Sequence, residues 1–233
     1  MLRLLLGIFV CVSVGALLTL VARDGSGAKP EMSLGRVVVG VLSFQGAALG
    51  LVWWFVREHG LGWAAGFGFR NRPGHAVGWG TLAVILFFPI GQGLQRLSFD
   101  LLTWLRLDPT AQSAVEVLRL ASRGSGLMVF AVVTVVVAPL AEELVFRGIL
   151  YPAIKASGFP RLALWGPSAL FAAVHFNLAI FLPLLLLALG LTWLYEKTNN
   201  LLATIVAHSL FNAANLGLFF LSEQLCRRLP VSP

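Results

Sequence analysis

An all-α, polytopic bundle of transmembrane helices follows from three observations. The composition is 58% hydrophobic and only 12% charged, with a mean hydropathy of +0.86. Long apolar runs recur between short polar breaks, and the few ionisable groups inside those runs stand at helical spacings. Dividing the runs at about 20 residues per crossing gives about seven spans, in a range of roughly six to eight, with interfacial amphipathic helices between some of them. The chain is expected to be a multi-pass integral membrane protein.

The first run, residues 4–22, lies between Arg3 and the Arg23–Asp24 pair. It is longer than an ordinary signal-peptide core, and Leu20 stands where a small residue would precede cleavage at Ala22, so an uncleaved span is expected. A polar loop containing Gly25, Ser26, Gly27 and Pro30 leads to a second span over residues 37–56, closed by Trp53 and Trp54 as an aromatic belt. Residues 57–75 mix glycine, aromatic and basic residues, among them Trp63, Phe67, Phe69, Arg70 and Arg72, and read as an interfacial loop or re-entrant segment.

A third span is expected over residues 76–94. From 96 to 124, Leu101, Leu102, Leu105, Val115, Leu118 and Leu120 recur beside charges, as in an amphipathic helix pair at the interface or a partly inserted hairpin. The fourth span runs from Gly126 through Pro139 to Leu150, ending at Tyr151 and Pro152. Residues 162–195 are almost uninterrupted apolar sequence, too long for one crossing without strong tilt. His175, Asn177 and Pro183 interrupt them, which predicts two short spans joined by a tight turn. The last span covers residues 201–221. Coarsely, residues 1–124 supply N-terminal transmembrane and interfacial helices, 125–221 a helical core, and 222–233 a short basic tail with Arg227 and Arg228.

Several functions are excluded. The net charge of +7 comes from Lys and Arg placed singly or in pairs at the polar breaks, where they anchor helices at headgroups, and no basic stripe or aromatic RNA-binding pattern accompanies it. Nucleic acid is therefore not an expected partner. Nucleotide binding fails because Gly66 and Gly68 follow no strand and no GxxxxGK[ST] run is present. Ser168 lies in Gly-Pro-Ser-Ala-Leu rather than a Gly-x-Ser-x-Gly elbow. Cys11 and Cys226 form no disulfide framework. His59 and His75, outside the spans, read as interfacial residues, and the seven tryptophans as anchors and packing. Basic residues spread nearly evenly over alternate loops leave the orientation open.

The functional information is concentrated in six residues inside apolar sequence: Glu142, Glu143, Arg147, His175, His208 and Asn212. Ionisable groups are costly in hydrocarbon and mark function there. Glu143 and Arg147 are four apart with the acid N-terminal, the favoured order for a helical ion pair, while Glu142 points about 100° away and stays free. His208 and Asn212 share one helix face, as do Phe171 and His175. If the loops near residues 151–161 and 196–200 share one side, a rise of ~1.5 Å per residue puts Glu142, His175, His208 and Asn212 at one depth.

A carboxylate beside a neutral imidazole can hold and deprotonate water, and a second histidine with an asparagine can donate to the oxyanion formed when that water attacks a peptide carbonyl. Glu142, His175 and His208 also compose a two-histidine, one-carboxylate zinc set. No HExxH helix is present.

The run Glu142, Glu143, three residues, Arg147, then Phe171 to His175, then His208 to Asn212, in that order and on separate expected helices, resembles the three motifs of the CPBP intramembrane proteases. That family includes the type II CAAX prenyl endopeptidases and bacterial proteins of bacteriocin processing and self-immunity. The resemblance covers residues 125–221. It implies an intramembrane endopeptidase in which Glu142 and His175 activate water, His208 and Asn212 form the oxyanion site, and Glu143 and Arg147 support them. The implied partners are the lipid bilayer and a peptide or membrane-protein substrate. The family has been described both as metal-dependent and as a metal-free glutamate protease; the reading favoured here is metal-free, with zinc on Glu142, His175 and His208 as the alternative. Two other classes use intramembrane polar residues: an ion or proton transporter, against which the halves show no internal repeat, and a non-catalytic scaffold or immunity protein.

Overall fold

The computed structural model describes residues 42–107 and 126–228, with residues 6, 7 and 10. The expected first span therefore lies outside the described residues apart from 6, 7 and 10, as does the part of the amphipathic segment beyond residue 107. Among the described residues every regular element is helical. In chain order these are α1 (Ala47–Glu58), preceded by a π turn (Leu42–Gly46), α2 (Trp63–Gly66), α3 (Pro73–Trp104), α4 (Gly126–Val132), α5 (Ala138–Val145), α6 (Tyr151–Ala156), α7 (Pro160–Ala173), α8 (Leu178–Thr198) and α9 (Leu201–Arg228). Among the described residues four helices are long and apolar enough to cross a membrane: Pro73–Trp104, Leu127–Ala156, Leu178–Thr198 and Leu201–Leu225. The count of about seven crossings is not confirmed.

α4, α5 and α6 form one continuous rod, joined by π turns at Val133–Val137 and Phe146–Leu150. Proline explains both joints. A proline has no N–H and its ring crowds the carbonyl four residues earlier, and widening the helix by one residue relieves that crowding. Pro139 and Pro152 each stand two residues after a π turn, and the wide bonds run from Ala138 N to the Val133 carbonyl and from Tyr151 N to the Phe146 carbonyl. The rod therefore continues to Ala156 rather than ending at Leu150, which corrects the sequence boundary.

The third expected span is also longer. α3 runs unbroken to Trp104, absorbing Pro89, so Leu101 and Leu102 belong to this helix and not to a separate interfacial one. Proline removes a single bond, and Gln92, Leu94, Gln95 and Arg96 after it are good helix formers. The chain leaves the helix where Arg106 takes a left-handed φ of +57°.

Residues 162–195 do divide into two helices, α7 and α8. The break falls at 174–177, where Phe176 has a φ of +50° and the Asn177 side chain accepts from Ala179 N at 2.9 Å to cap α8. Pro183 is not a break; it lies within α8. With 14 residues α7 is too short to count as a crossing, and together with α8 it makes a hairpin whose tip carries His175.

Three loops meet at one end of the bundle. Asn199, at φ +47°, stops α8, and the Asn200 side chain caps α9 by accepting from Leu202 N. The 59–72 loop docks on this turn: Asn71 Nδ2 donates to the Asn199 carbonyl, Asn200 Nδ2 to the Asn71 carbonyl, and Leu201 N to the Phe67 carbonyl. Gly68, at φ +70°, makes that approach possible, since a Cβ there would stand 2.1 Å from the Asn199 oxygen. On the neighbouring α6, just before the α6–α7 connection, Tyr151 and Lys155 bond Glu196 of α8. The loops near 151–161 and 196–200 thus share one end, as the depth argument required.

Two apolar clusters fill the interior. One joins α1 to α5 and the second π turn through Val52, Val56, Leu144, Phe146 and Phe171; the other joins α3, α8 and α9 through Ala83, Leu187, Leu191 and Phe211.

Candidate active site

The six polar residues occupy the middle of this framework. Glu143 and Arg147, one turn apart on the rod, form an ion pair of 2.7 Å with side chains 0% and 2% exposed. Arg147 also donates to the Ala188 carbonyl of α8 at 2.9 Å and lies over the Phe171 ring, 5.1 Å from its centroid. A guanidinium has five donors in a fixed fork, which lets one buried cation tie the rod to α7 and α8.

His208 reaches the same carboxylate from α9, with Nδ1 2.9 Å from Glu143 Oε1. A carboxylate paired with Arg147 accepts, so Nδ1 donates and Nε2 is the nitrogen left for other work. Nε2 stands 3.8 Å from Glu142 Oε2. The contact is too long for a direct hydrogen bond and suits a bridging group. Glu142, 12% exposed, is the more accessible of the two carboxylates.

His175 is not on a helix, contrary to the expectation that it would sit within a span. It occupies the turn after α7, where Nδ1 lies 2.7 Å from the Phe171 carbonyl. A carbonyl only accepts, so Nδ1 carries the proton and Nε2 presents a lone pair. Its ring is within electrostatic reach of Glu142. The fully buried Phe171 ring lies 5.1 Å from the His175 ring and 5.6 Å from the His208 ring, so one aromatic contacts both histidines and the guanidinium.

Asn212 is tied elsewhere. Its Nδ2 donates to the Thr134 carbonyl at 2.9 Å. In the π register that carbonyl would bond the N–H five residues on, which is Pro139, so the proline leaves an acceptor that Asn212 satisfies. One of the two amide hydrogens remains available.

Glu143, Arg147 and His208 are therefore brought into direct contact, with Glu142 set 3.8 Å from His208 Nε2. His175 joins them through Phe171 and Glu142, and Asn212 stands one turn beyond His208, bound to the rod. Two partners had no sequence signal, the Ala188 and Thr134 carbonyls, because backbone acceptors do not show in residue type; Phe171 was marked by its spacing to His175, but not its contacts with His208 and Arg147. Among the described residues no group of three or more His, Cys, Asp or Glu is placed to hold a metal ion.

A model of the family described as type II CAAX prenyl endopeptidase Rce1-like matches residues 124–214, the stretch that holds all six residues. Residues 124–214 are similar to this family. The Rce1-like region thus runs from the start of the rod through Asn212, and the helices before it lie outside the match. UPF0177 protein YxdF of Lactococcus lactis subsp. lactis (strain IL1403) is 32% identical over 96 residues, 41% of this chain and 52% of that protein. The chain spans about half the length of this curated relative. No solved structure matches the chain.

Proposed function

We propose that the chain is an intramembrane endopeptidase that hydrolyses peptide bonds of membrane-associated substrates with a water activated by Glu142 and His175. The observation that carries this reading is the meeting of Glu142 with the Glu143–Arg147–His208 network inside the Rce1-like region. A buried ion pair needs its partners for its own stability, whereas Glu142, 3.8 Å from His208 Nε2 and too far for a direct hydrogen bond to it, can exchange a proton.

The water donates one hydrogen bond to Glu142 and a second to the bare Nε2 of His175. Its oxygen bonds to the scissile carbonyl carbon as its proton passes to Glu142. The carbonyl oxygen becomes an oxyanion that takes the free N–H of Asn212, and His208 Nε2 adds a second donor when the ring is protonated. The C–N bond then breaks, and the leaving amine takes the proton back from Glu142. Glu143 and Arg147 hold the ring of His208 and touch no reacting atom. No metal enters this scheme, because Glu142 and His175 suffice to activate water.

The test compares membrane proteomes of cells carrying the intact protein and Glu142→Gln. Precursors that accumulate uncleaved with the variant identify the substrate, and purified protein acting on them should stay active after strong chelation. Identical peptide patterns in both cells would remove the protease reading. Activity lost on chelation and restored by zinc would replace the metal-free scheme with zinc held by Glu142, His175 and His208.

A further inference from the structure

We propose that the seam between α3 and α9 is a water-binding path that feeds the candidate site from the end of the bundle opposite the three docked loops. The inference rests on the hydrolase reading, because hydrolysis is the step that consumes water at a site enclosed by apolar helices.

The path begins on α9. Successive helical residues turn by about 100°, so Thr204, His208, Asn212 and Asn215 fall within about 80° of arc and form one polar stripe on the mostly apolar 201–221 stretch of the helix. Asn215 lies about 10 Å along the axis from His208, away from the loop end. There it meets α3, where Gln92 Nε2 donates to Asn215 Oδ1 at 2.9 Å, while Asn215 Nδ2 donates to the Phe211 carbonyl. Both side chains are only partly buried.

α3 continues the line. Its buried face faces α9: a Cβ on Gly80 would meet the Ala203 carbonyl, and one on Gly91 would touch the Phe211 ring. Ser98 is seven residues beyond Gly91, on the same face to within about 20°. It is 4% exposed, and among the described residues its hydroxyl has no hydrogen-bond partner, even though the carbonyl one turn back offers serine an easy acceptor. An unpaired buried hydroxyl is costly, and a water molecule would offset that cost.

Interhelical clamping explains Gln92 with Asn215 and Asn212 with Thr134, but it leaves Ser98 without a role. A wet seam accounts for all of them. Gln92 and Asn215 hold each other and keep further donors and acceptors for passing water, Ser98 marks the outer stretch, and Asn212 delivers the path to His208 and Glu142.

The experiment uses thiol chemistry, since a permanently charged methanethiosulfonate reacts with a thiolate and therefore needs water at the sulfur. In full-length protein with Cys11 and Cys226 changed to Ser, Ser98→Cys and Asn215→Cys are labelled in native membranes beside Leu97→Cys, whose parent side chain is 58% exposed on the outer surface of α3. Both seam positions should react at least about tenfold faster than Leu97→Cys, with each variant purifying as a monodisperse species. Labelling as slow as that of Leu97→Cys at either seam position would break the path and overturn the proposal. Because labelling needs no catalysis, an inactive protein with a reactive seam would sink the protease reading alone, and an active protein with a dry seam would sink this one alone.

Discussion

Two ionic networks stitch this bundle together, and they differ in burial rather than in number of partners. At the centre, Glu143, Arg147 and His208 join the rod to α9 with both members of the ion pair sealed from solvent. At the loop end, Tyr151 and Lys155 join α6 to Glu196 of α8, with the Lys and Glu side chains 46% and 44% exposed. Each network links elements distant in sequence. Only the central one leaves a stranded charge when a member is removed, because water reaches the outer pair and replaces a lost partner.

Arg147→Ala tests that contrast most severely. It strands Glu143 in the interior and releases the Ala188 carbonyl, so a loss of about 3–5 kcal/mol is expected, seen as low expression and a lower Tm in detergent. Normal yield and Tm would show that the buried pair contributes no more than an exposed one. Glu142→Gln separates function from stability within the same cluster. It keeps the shape and removes the proposed base, so cleavage should fall by about 10² to 10⁴ fold with folding nearly unchanged. A variant that cleaves a verified substrate at the normal rate would exclude Glu142 as the base.

Asn212→Ala should reduce cleavage by about 10² to 10³ fold if the amide serves the oxyanion. It also frees the Thr134 carbonyl that Pro139 leaves unpaired, so a Tm decrease equivalent to about 1–3 kcal/mol should accompany the kinetic loss. Unchanged Tm would mean that another donor takes over the Thr134 carbonyl. The smallest effect belongs to Lys155→Ala, expected to change stability by only about 0–1 kcal/mol and to leave activity intact. An effect as large as that of Arg147→Ala would erase the distinction between the two networks.

The same division separates what was legible in the chain from what was not. Six motif residues stood out because each is ionisable or strongly polar inside apolar sequence, and the Glu143–Arg147 pair followed from a spacing of four on one helix. Helix limits were less legible. Pro152 and Pro183 look like an end and a break, yet the rod continues past Pro152 through a π turn and Pro183 lies within α8, while charges beside Leu101 and Leu102 hid the continuation of α3. The true break, at 174–177, has no proline and turns on a left-handed Phe176, a conformation that the residue type does not announce.

By itself, then, the sequence determined the all-helical class, the membrane as solvent, and a short roster of candidate residues, since these depend on composition and on periodicity within single helices. Tertiary structure decided how the roster is shared out. His208 belongs with Glu143 through Nδ1 and faces Glu142 through Nε2; His175 takes its tautomer from the Phe171 carbonyl at a hairpin tip; Asn212 answers a carbonyl that a proline has orphaned. Those assignments join residues 65 and 78 positions apart, or depend on backbone carbonyls common to every residue. Only the packing of one helix against another can fix them.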